Sequence, residues 1–388
     1  MNGEISHDSD LGQDELKLPS LWGCRAVLTG GGTGGHLYPL LAIAEQWRDQ
    51  YDGNLLFMGT EKGIENKIVP EKGYRFQKIY ARGLSGGLIG KAKALLALGI
   101  GVLQSWSALR SFQPRVVVGS GGYVCAPVLL AAKLLGIPTV LLEQNARAGK
   151  TVRLLSRFAN RICTCWPEAA STGLPADKVV LTGNPVRREV IQAEREAGRQ
   201  MYDLPAERPC LLITGGSQGA ASLDKAVLRA LPLWRDCAWT VIHITGPKHL
   251  DKVKAEASPL LSGGNLDYRP VGYLQDMASA YAACDLVVCR AGATTLCEIM
   301  AVGRASIVVP YPYAAENHQE ANAASLVEAG GAVRLADDQV EEELAENVLL
   351  LMNDAEKRQG MAEASRRQGR PEAVQAVLQA VADSLCGC

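Results

Sequence analysis

The sequence predicts an α/β protein built on two parallel β-sheets. Along almost the whole chain of 388 residues, short runs rich in β-branched residues alternate with longer helical patterns, which is typical of βαβ units. Several runs are apolar without alternation, as in strands that helices cover on both faces. A strand leading through a glycine-rich loop into a helix occurs twice, at residues 24–47 and 210–231. We therefore expect two domains, each beginning with such a unit.

The candidate strands divide between these two domains. The first set is 25–28, 54–58, 115–118, 139–143, 161–164 and 179–181, and the second is 210–214, 240–245, 286–289 and 306–309. Each set has the pattern of a Rossmann-like sheet. We predict a flexible acidic tail at 1–20, an N-terminal domain at 21–184, a C-terminal domain at 185–359 and a last helix at about 360–388 that packs back on the N-terminal domain.

Composition and charge exclude several classes of protein. With 47% hydrophobic and 21% charged residues, the chain has ordinary globular composition and is not disordered, collagen-like or membrane-embedded. The net charge of −1 is a cancellation, because residues 21–185 carry 19 Lys and Arg against 9 Asp and Glu, whereas residues 186–388 carry 20 against 27. This asymmetry indicates an anionic partner for the first half only. We expect no nucleic-acid partner.

The 11 cysteines give no sign of disulfides or of a metal site. No basic and apolar leader precedes the first strand, so we expect a cytoplasmic protein with reduced thiols. There is no C-x-x-C motif, and Cys163 and Cys165 lack partners at zinc spacing. We expect neither a metal nor a cofactor.

The first glycine loop, GGGTGG, stands between a strand and a helix and is followed by His36. Without Cβ atoms, its N–H groups and the helix N-terminus suit an anion or a closely approaching substrate. Gly30, Gly32 and Gly35 also satisfy G-x-G-x-x-G. A dinucleotide site of an NAD(P)-dependent oxidoreductase is therefore an alternative.

Two further glycine loops follow other strands. They are GSGGY at 119–123 and GGSQG at 215–219, where Ser217 offers a hydroxyl near a helix start, a geometry suited to a diphosphate. Ligands of open α/β sheets bind at the carboxyl ends of strands. Three such loops on two domains describe a cleft between domains better than a single dinucleotide crevice.

The second half also supplies a carboxylate and a run of amides. Glu298 lies in the second turn of a helix that we expect to begin near Ala293, and it can accept two hydrogen bonds from a vicinal diol such as a ribose. An ordinary solvated helical Glu is the alternative. Asn317, His318, Gln319 and Asn322 form a run of polar side chains. We expect them to contact sugar hydroxyls, and helix capping is the alternative explanation.

Seven motifs, in order along the chain, resemble one known family. They are GGTGGH (31–36), GSGGYV (119–124), EQNARAG (143–149), GNPVR (183–187), GGSQGA (215–220), CRAGATTLCE (289–298) and ENHQ-x-x-NA (316–323). The set is similar to the MurG family of bacterial peptidoglycan glycosyltransferases. The resemblance implies the GT-B architecture, two Rossmann-like domains facing across a cleft. It also implies transfer of N-acetylglucosamine (GlcNAc) from UDP-GlcNAc to undecaprenyl-diphospho-N-acetylmuramoyl-pentapeptide (lipid I), which gives lipid II.

The resemblance implies a role for individual residues. Glu298 would hold the ribose, Gln319 the GlcNAc hydroxyls and Ser217 the diphosphate, with Arg187 beside the donor and the Leu274 backbone at the uracil. The other implied donor contacts are Thr33, Gly34, Gly35, Asn145, Ala293, Thr294, Thr295, Leu296 and Cys297. The secondary candidates are Gly121, Gly122, Tyr123, Gly216, Gln218 and His318. Ala291 and Cys297 stand where the family commonly has Ser.

The implied reaction inverts the anomeric centre in one displacement and needs a base for the acceptor 4-hydroxyl. We predict that His36 is this base, because its ordinary pKa lies near working pH. Hydrogen bonding at a helix N-terminus is its alternative role. We expect loop N–H groups, the helix N-terminus and Arg187 to stabilise the departing UDP. A D-x-D sequence at 8–10 lies in the expected tail, so no metal is assigned to it.

A lipid acceptor implies contact with a membrane. Residues 84–106 contain an apolar run at 94–103, which we expect to be too short to span a bilayer, and Lys91 and Lys93 precede it. We predict an interfacial segment on the anionic cytoplasmic face of the membrane and hence a peripheral protein. A buried core helix is the alternative. Another GT-B glycolipid synthase is the closest rival function.

Overall fold

The structure is a computed structural model that describes residues 18–83, 88–216 and 218–386. Within these ranges the chain forms two parallel sheets, of seven and six strands, which confirms the predicted fold class. All ten predicted strands are present, with ends shifted by at most one residue. The sequence pattern misses the strands at Arg75–Lys78, Asp267–Val271 and Ala332–Arg334.

The first sheet has the strand order β3-β2-β1-β4-β5-β6-β7. Its strands are β1 (Arg25–Thr29), β2 (Asn54–Gly59), β3 (Arg75–Lys78), β4 (Val116–Gly119), β5 (Thr139–Glu143), β6 (Arg161–Thr164) and β7 (Val179–Leu181). The helices between them are α1 (Gly34–Tyr51), α2 (Glu65–Glu71), α3 (Leu88–Phe112), α4 (Gly122–Leu134) and α5 (Lys150–Ser156). The order reverses beside β1, so a crevice opens at the carboxyl ends of β1 and β4.

The second sheet has the order β10-β9-β8-β11-β12-β13. Its strands are β8 (Cys210–Thr214), β9 (Thr240–Ile244), β10 (Asp267–Val271), β11 (Leu286–Cys289), β12 (Ala305–Val308) and β13 (Ala332–Arg334). The helices after β7 are α6 (Arg188–Ile191), α7 (Arg195–Met201), α8 (Ala221–Trp234), α9 (Leu250–Ala257), α10 (Met277–Ala283), α11 (Ala293–Val302), α12 (His318–Glu328), α13 (Val340–Asn353), α14 (Ala355–Gln368) and α15 (Ala373–Cys386). Here the order reverses between β8 and β11, where the third glycine loop and α11 begin.

Helices cover both faces of each sheet, and the interiors of the central strands are therefore largely apolar. Ala26 and Leu28 of β1 face a core shared with α1, whereas Val27 faces the core beneath α3 and α4. The last helix, α15, belongs to the first of these cores, since Val377 and Val381 are fully buried in it. The preceding helix, α14, packs instead on α11 and β12 of the second sheet.

Helix α3 lies on the surface of the first sheet with one buried face. Its buried positions recur every three or four residues, at Ala94, Ala97, Gly101, Ser105, Leu109 and Phe112. Gly101 lies so close to the backbone at Tyr80 that an added Cβ would be 2.2 Å from the Tyr80 carbonyl oxygen. The segment Ala92–Phe112 is long and apolar enough to cross a membrane by length and composition. The predicted apolar run at 94–103 is part of this longer apolar helix.

Candidate active site

The glycine loop after β1 and the turn before α11 meet where the two sheets face each other. The Thr294 hydroxyl donates a hydrogen bond to the Gly35 carbonyl oxygen at 3.2 Å. The predicted donor contacts Thr33, Gly34 and Gly35 therefore lie beside Thr294 of the other domain. Because each loop stands at the carboxyl end of its strand, both edges where such sheets bind ligands open into this same space.

His36 lies in the first turn of α1, and its ring is held by the loop after β4. Its Nδ1 lies 2.7 Å from the Ser120 carbonyl oxygen. Since a carbonyl oxygen only accepts, Nδ1 carries the proton, and Nε2 of the neutral ring has a free lone pair. Burial lowers the pKa of His36, and His318 lowers it further, whereas hydrogen bonds with the Ser120 carbonyl oxygen and the Gln144 side chain, which favour the protonated ring, oppose this. His36 thus has the tautomer that a general base needs.

The secondary candidates Gly121 and Gly122 make room for this ring. Both have positive φ, 88° and 73°. A Cβ at Gly121 would lie 3.4 Å from His36 Cε1, and one at Gly122 would lie 3.3 Å from His36 Cδ2. The next residue, Tyr123, is exposed. These glycines therefore permit the close approach of α4 to the imidazole.

One N–H group of the first glycine loop is not available to a ligand. Gly32 N donates to Glu65 Oε2 at 2.9 Å, so this group does not face a ligand. A helix leaves its first N–H groups without helical partners. Those of Gly34 and Gly35, at the start of α1, are thus the groups that can meet a substrate.

Asn145 is fixed at the junction of the two domains. Glu143 Oε1 accepts from the Asn145 backbone N at 2.9 Å and from its Nδ2 at 3.1 Å, while Glu143 Oε2 accepts from Gly149 N at 2.9 Å. Burial raises the pKa of Glu143, against these three donors. On the opposite domain, Asn322 Nδ2 donates to Asn145 Oδ1 at 3.2 Å, and Asn322 Oδ1 accepts from Ala146 N at 2.8 Å.

This arrangement corrects the interpretation of Asn322 as a sugar contact. The side chain is fully buried, and its Nδ2 also donates to the Ala291 carbonyl oxygen at 3.1 Å. The amide therefore bridges the domains and has no free group for a hydroxyl.

Arg187 and Glu298 form a buried ion pair. Arg187 donates to Glu298 Oε1 from Nε at 3.2 Å and from Nη2 at 2.8 Å, and the Tyr281 hydroxyl donates to the same carboxylate. The guanidinium also lies over the Tyr38 ring of α1, 4.8 Å from its centroid. Burial raises the pKa of the Glu298 carboxyl, and Arg187 opposes the rise. The alternative of a solvated Glu298 is wrong, because its side chain is only 7% exposed.

The other residues of the predicted turn differ in what they expose. Thr294 and Thr295 are half-buried, whereas Ala293, Leu296 and Cys297 pack in the core. Cys297 Sγ lies 3.3 Å from Cys165 Sγ of the first domain. Only the backbone of Leu296 and Cys297 is thus left to meet a ligand.

The remaining candidates lie around the rim. Gly216 and Gln218 are exposed after β8, and Ser217 lies outside the described residues. Leu274 packs on the second core in the loop before α10. Gln319, in the first turn of α12, accepts from the Tyr311 backbone N at 2.9 Å.

The loop before α12 connects the domains by charge. Glu316 pairs with Lys150 and Arg153 of α5, both at 3.0 Å, and these cations lower the pKa of its carboxyl. Glu316 and Asn317 both have φ near 54°, left-handed backbone that is uncommon for residues other than glycine. The adjacent His318 donates from Nδ1 to the Ala315 carbonyl oxygen at 2.6 Å.

The sequence reasoning misses several residues that hold the site. Glu143 was visible in the EQNARAG motif but carries no distinguishing pattern of its own. Tyr38 and Tyr281 look like ordinary helical aromatics, and Glu65 looks like a surface acid at a helix start. The contacts that tie them to the site, such as Gly32 with Glu65 and Arg187 with Tyr38, join residues far apart in the sequence, so no local signal identifies them.

Comparison with known proteins agrees with this geometry. Residues 26–164 match the glycosyltransferase family 28 N-terminal domain, and residues 210–377 match the family 28 C-terminal domain. A curated protein of Desulforudis audaxviator is 42% identical over 366 residues, covering 91% of this chain and 96% of that protein. It is named UDP-N-acetylglucosamine–N-acetylmuramyl-(pentapeptide) pyrophosphoryl-undecaprenol N-acetylglucosamine transferase. The chain belongs to the MurG family of glycosyltransferases.

Two further similarities support MurG-family membership. A Moorella thermoacetica protein of the same name is 42% identical over 365 residues, covering 92% of this chain and 98% of that protein. The crystal structure of Acinetobacter baumannii MurG superposes with a TM-score of 0.73 at 30% identity, covering 92% of this chain and 98% of that one. The two sheets described above are therefore the GT-B domains of a MurG-family enzyme, and the oxidoreductase alternative is excluded.

Proposed function

We propose that this enzyme transfers GlcNAc from UDP-GlcNAc to the 4-hydroxyl of the N-acetylmuramoyl group of lipid I, giving lipid II for peptidoglycan synthesis. The observation that carries the proposal is the bond from His36 Nδ1 to the Ser120 carbonyl oxygen, which makes Nε2 the nitrogen of the neutral ring that can accept a proton. His36 stands at the loop that meets the donor-side turn through Thr294 and Gly35. A base beside the junction of two nucleotide-fold domains is what an inverting displacement requires.

The proposed reaction is a single displacement. His36 Nε2 takes the proton of the acceptor 4-hydroxyl as that oxygen bonds to the anomeric carbon, and the bond from this carbon to the UDP oxygen breaks. The products are the β-linked disaccharide lipid and UDP, and the proton leaves from His36 to solvent. Charge on the departing diphosphate is met by the N–H groups at the start of α1, by Ser217 and by Arg187.

Donor binding would exchange the partners of Arg187. In the structure, Arg187 occupies Glu298 Oε1, so the carboxylate cannot give both oxygens to a ribose diol. A diphosphate beside Arg187 would draw the guanidinium away and leave Glu298 to the ribose. Gln319, Asn145 and the Leu274 backbone would then complete the contacts to the sugar and the uracil.

The acceptor side would dock on a membrane through α3. Leu95, Leu96 and Leu103 are 63%, 68% and 71% exposed on its outer face. The opposite face of the helix packs on the first domain, and a helix that crossed the bilayer would have to withdraw Leu109 and Phe112 from that core. We therefore propose a helix that lies in the interface, and a peripheral enzyme on the anionic cytoplasmic face of the membrane. The basic excess of residues 21–185 would add electrostatic attraction.

The test is incubation of the purified protein with UDP-GlcNAc and a lipid I analogue, read by mass spectrometry. The expected product is the acceptor carrying one added N-acetylhexosamine, together with free UDP. Parallel incubations replace the acceptor by diacylglycerol. Transfer to diacylglycerol, with none to the lipid I analogue, would favour the rival glycolipid synthase.

A further inference from the structure

Glu65 is a buried carboxylate that neither predicted nor proposed contacts with substrate use. It is the first residue of α2 and is only 1% exposed. Among the ion pairs of the described residues, none involves Glu65. An unpaired buried carboxylate is costly unless hydrogen bonds satisfy its oxygens, so its partners indicate why it is there.

The two carboxylate oxygens join two loops. Oε1 accepts from the backbone N of Thr60 at 2.9 Å and from its hydroxyl at 2.8 Å, within the loop between β2 and α2. Oε2 accepts from Gly32 N at 2.9 Å in the loop between β1 and α1. Because β1 and β2 are parallel neighbours, their carboxyl ends adjoin, and Glu65 connects the two loops at that edge.

The space for this carboxylate depends on glycines. A Cβ added at Gly31 would lie 2.3 Å from Glu65 Cδ, and one at Gly63 would lie 2.1 Å from both carboxylate oxygens. Neither position could carry a side chain without displacing the carboxylate. Part of the glycine content of the first loop therefore serves Glu65 instead of a ligand.

Gly32, which Glu65 holds, lies directly before the start of α1 and the proposed base His36. Gly32 has φ 81°, and Thr33 follows it as the N-cap residue of α1. His36 N in turn bonds to the Thr33 carbonyl oxygen at 3.3 Å. The segment from Gly32 to His36 is thus fixed at two points: Glu65 holds its backbone, and Ser120 holds the imidazole.

We propose that Glu65 is a positioning residue for the transferase reaction: through Gly32 it fixes the loop that presents the α1 N–H groups and His36. The inference rests on the proposed function, because it assigns that segment to catalysis. Loss of the anchor would lower turnover far more than nucleotide binding, because the α1 N–H groups meet charge that develops as UDP departs, whereas the proposed ribose and uracil contacts, Glu298 and Leu274, lie on the second domain.

The test compares Glu65→Gln and Glu65→Asp with wild type. Glu65→Gln keeps the size of the side chain, but its NH2 group replaces one of the two oxygens that accept from N–H groups, so one of these hydrogen bonds is lost. Glu65→Asp keeps the charge, but its side chain is too short to reach Gly32. We expect kcat to fall at least about tenfold in both, with the Kd and stoichiometry of UDP, measured by calorimetry, within about twofold of wild type. Glu71→Gln, an exposed position of the same helix, is the matched control and should keep wild-type kcat.

Several outcomes would overturn the proposal. They are a kcat within about twofold of wild type in Glu65→Gln, or a fall in kcat matched by an equal fall in UDP stoichiometry. If Glu65→Gln does not fold, Glu65→Asp decides by the same criteria, and failure of both to fold would assign Glu65 to stability alone. Wild-type protein that transfers no GlcNAc would instead contradict the proposed function.

Discussion

Arg187 donates two hydrogen bonds to a single oxygen of Glu298, and both side chains are largely buried, at 16% and 7% exposure. The two residues come from different motifs, GNPVR and CRAGATTLCE, which the sequence places 111 positions apart. Both are predicted donor contacts, and in the structure each satisfies the other. This pairing fixes the two side chains relative to each other, and it predicts how they respond to substitution.

Replacing Glu298 by Ala should cost both stability and nucleotide binding. Removing one partner leaves a buried guanidinium without its counterion, which typically costs about 3 kcal/mol or more. We expect the free energy of unfolding to fall by about that amount in urea titrations, and UDP binding to be lost in calorimetry. The double variant Arg187→Leu/Glu298→Leu should recover part of the stability but none of the UDP binding. Recovered UDP binding in the double variant would contradict the assigned roles.

The pH dependence of turnover should report His36. Protonated His36 cannot accept a proton, and burial lowers its pKa below the ordinary value of about 6.5. Activity should therefore decline in acid with a midpoint below about pH 6.5 and be level in more alkaline solution. We expect His36→Gln to lower kcat by at least about 100-fold.

The matched control is His249→Gln. His249 pairs with Asp224 at 2.6 Å in the second domain and is not a proposed contact of the reacting groups, so its replacement should keep the acid limb of the pH profile. A His36→Gln enzyme with wild-type turnover and the same acid limb would show that another group is the base.

Replacing Asn322 by Asp should weaken the contact between the two domains. The substituted oxygen would face two acceptors, the Ala291 carbonyl oxygen and Asn145 Oδ1, where Asn322 Nδ2 now donates. Each buried group left unsatisfied costs about 1–3 kcal/mol. We expect a lower melting temperature and a reduced kcat, measured by calorimetry and by the transferase assay. The same change at exposed Asn353 is the control, and equal effects at both positions would contradict a bridging role for Asn322.

The strands that the sequence reveals are those with an apolar signal. Central strands such as β4 and β5 are covered on both faces, so their residues form continuous apolar runs. The missed strands β3 and β10 lie at sheet edges, where RFQK and DYRPV mix polar residues and a proline with apolar ones. Edge strands tolerate such residues because one side needs no ladder partner. Their existence follows from tertiary pairing and has no local periodicity.

The features of the site likewise divide into those with a local sequence pattern and those that depend on long-range contacts. Glycine loops after strands are local patterns, and they correctly indicate where β1, β4 and β8 open toward the cleft. The hydrogen bond from Gly32 to Glu65 spans 33 positions, and that from Asn322 to Asn145 spans 177. Such pairs depend on which strands adjoin and how the domains pack. A single sequence carries no pattern that joins them.

The exposed leucines of α3 should determine membrane binding without contributing to folding. Leu96 and Leu103 are 68% and 71% exposed, and surface substitutions of this kind usually change stability by no more than about 0.5 kcal/mol. Immersion of a leucine side chain in the interface is worth about 1.5 kcal/mol or more. We therefore expect Leu96→Ser/Leu103→Ser to reduce sedimentation with phosphatidylglycerol vesicles at least about tenfold, with an unchanged melting temperature.

Charge should contribute separately to the same binding. Replacing Lys91 and Lys93 by Glu should weaken binding to anionic vesicles and leave the weaker binding to zwitterionic vesicles unchanged, because each Lys near an anionic surface is worth about 1 kcal/mol.

The control for the leucine substitutions in α3 is Leu233→Ser/Leu350→Ser on the second domain, where both side chains are similarly exposed, at 62% and 64%. If that control loses as much vesicle binding as the α3 variant, the membrane does not contact α3 in particular. If neither loses any, the apolar face of α3 must serve another partner.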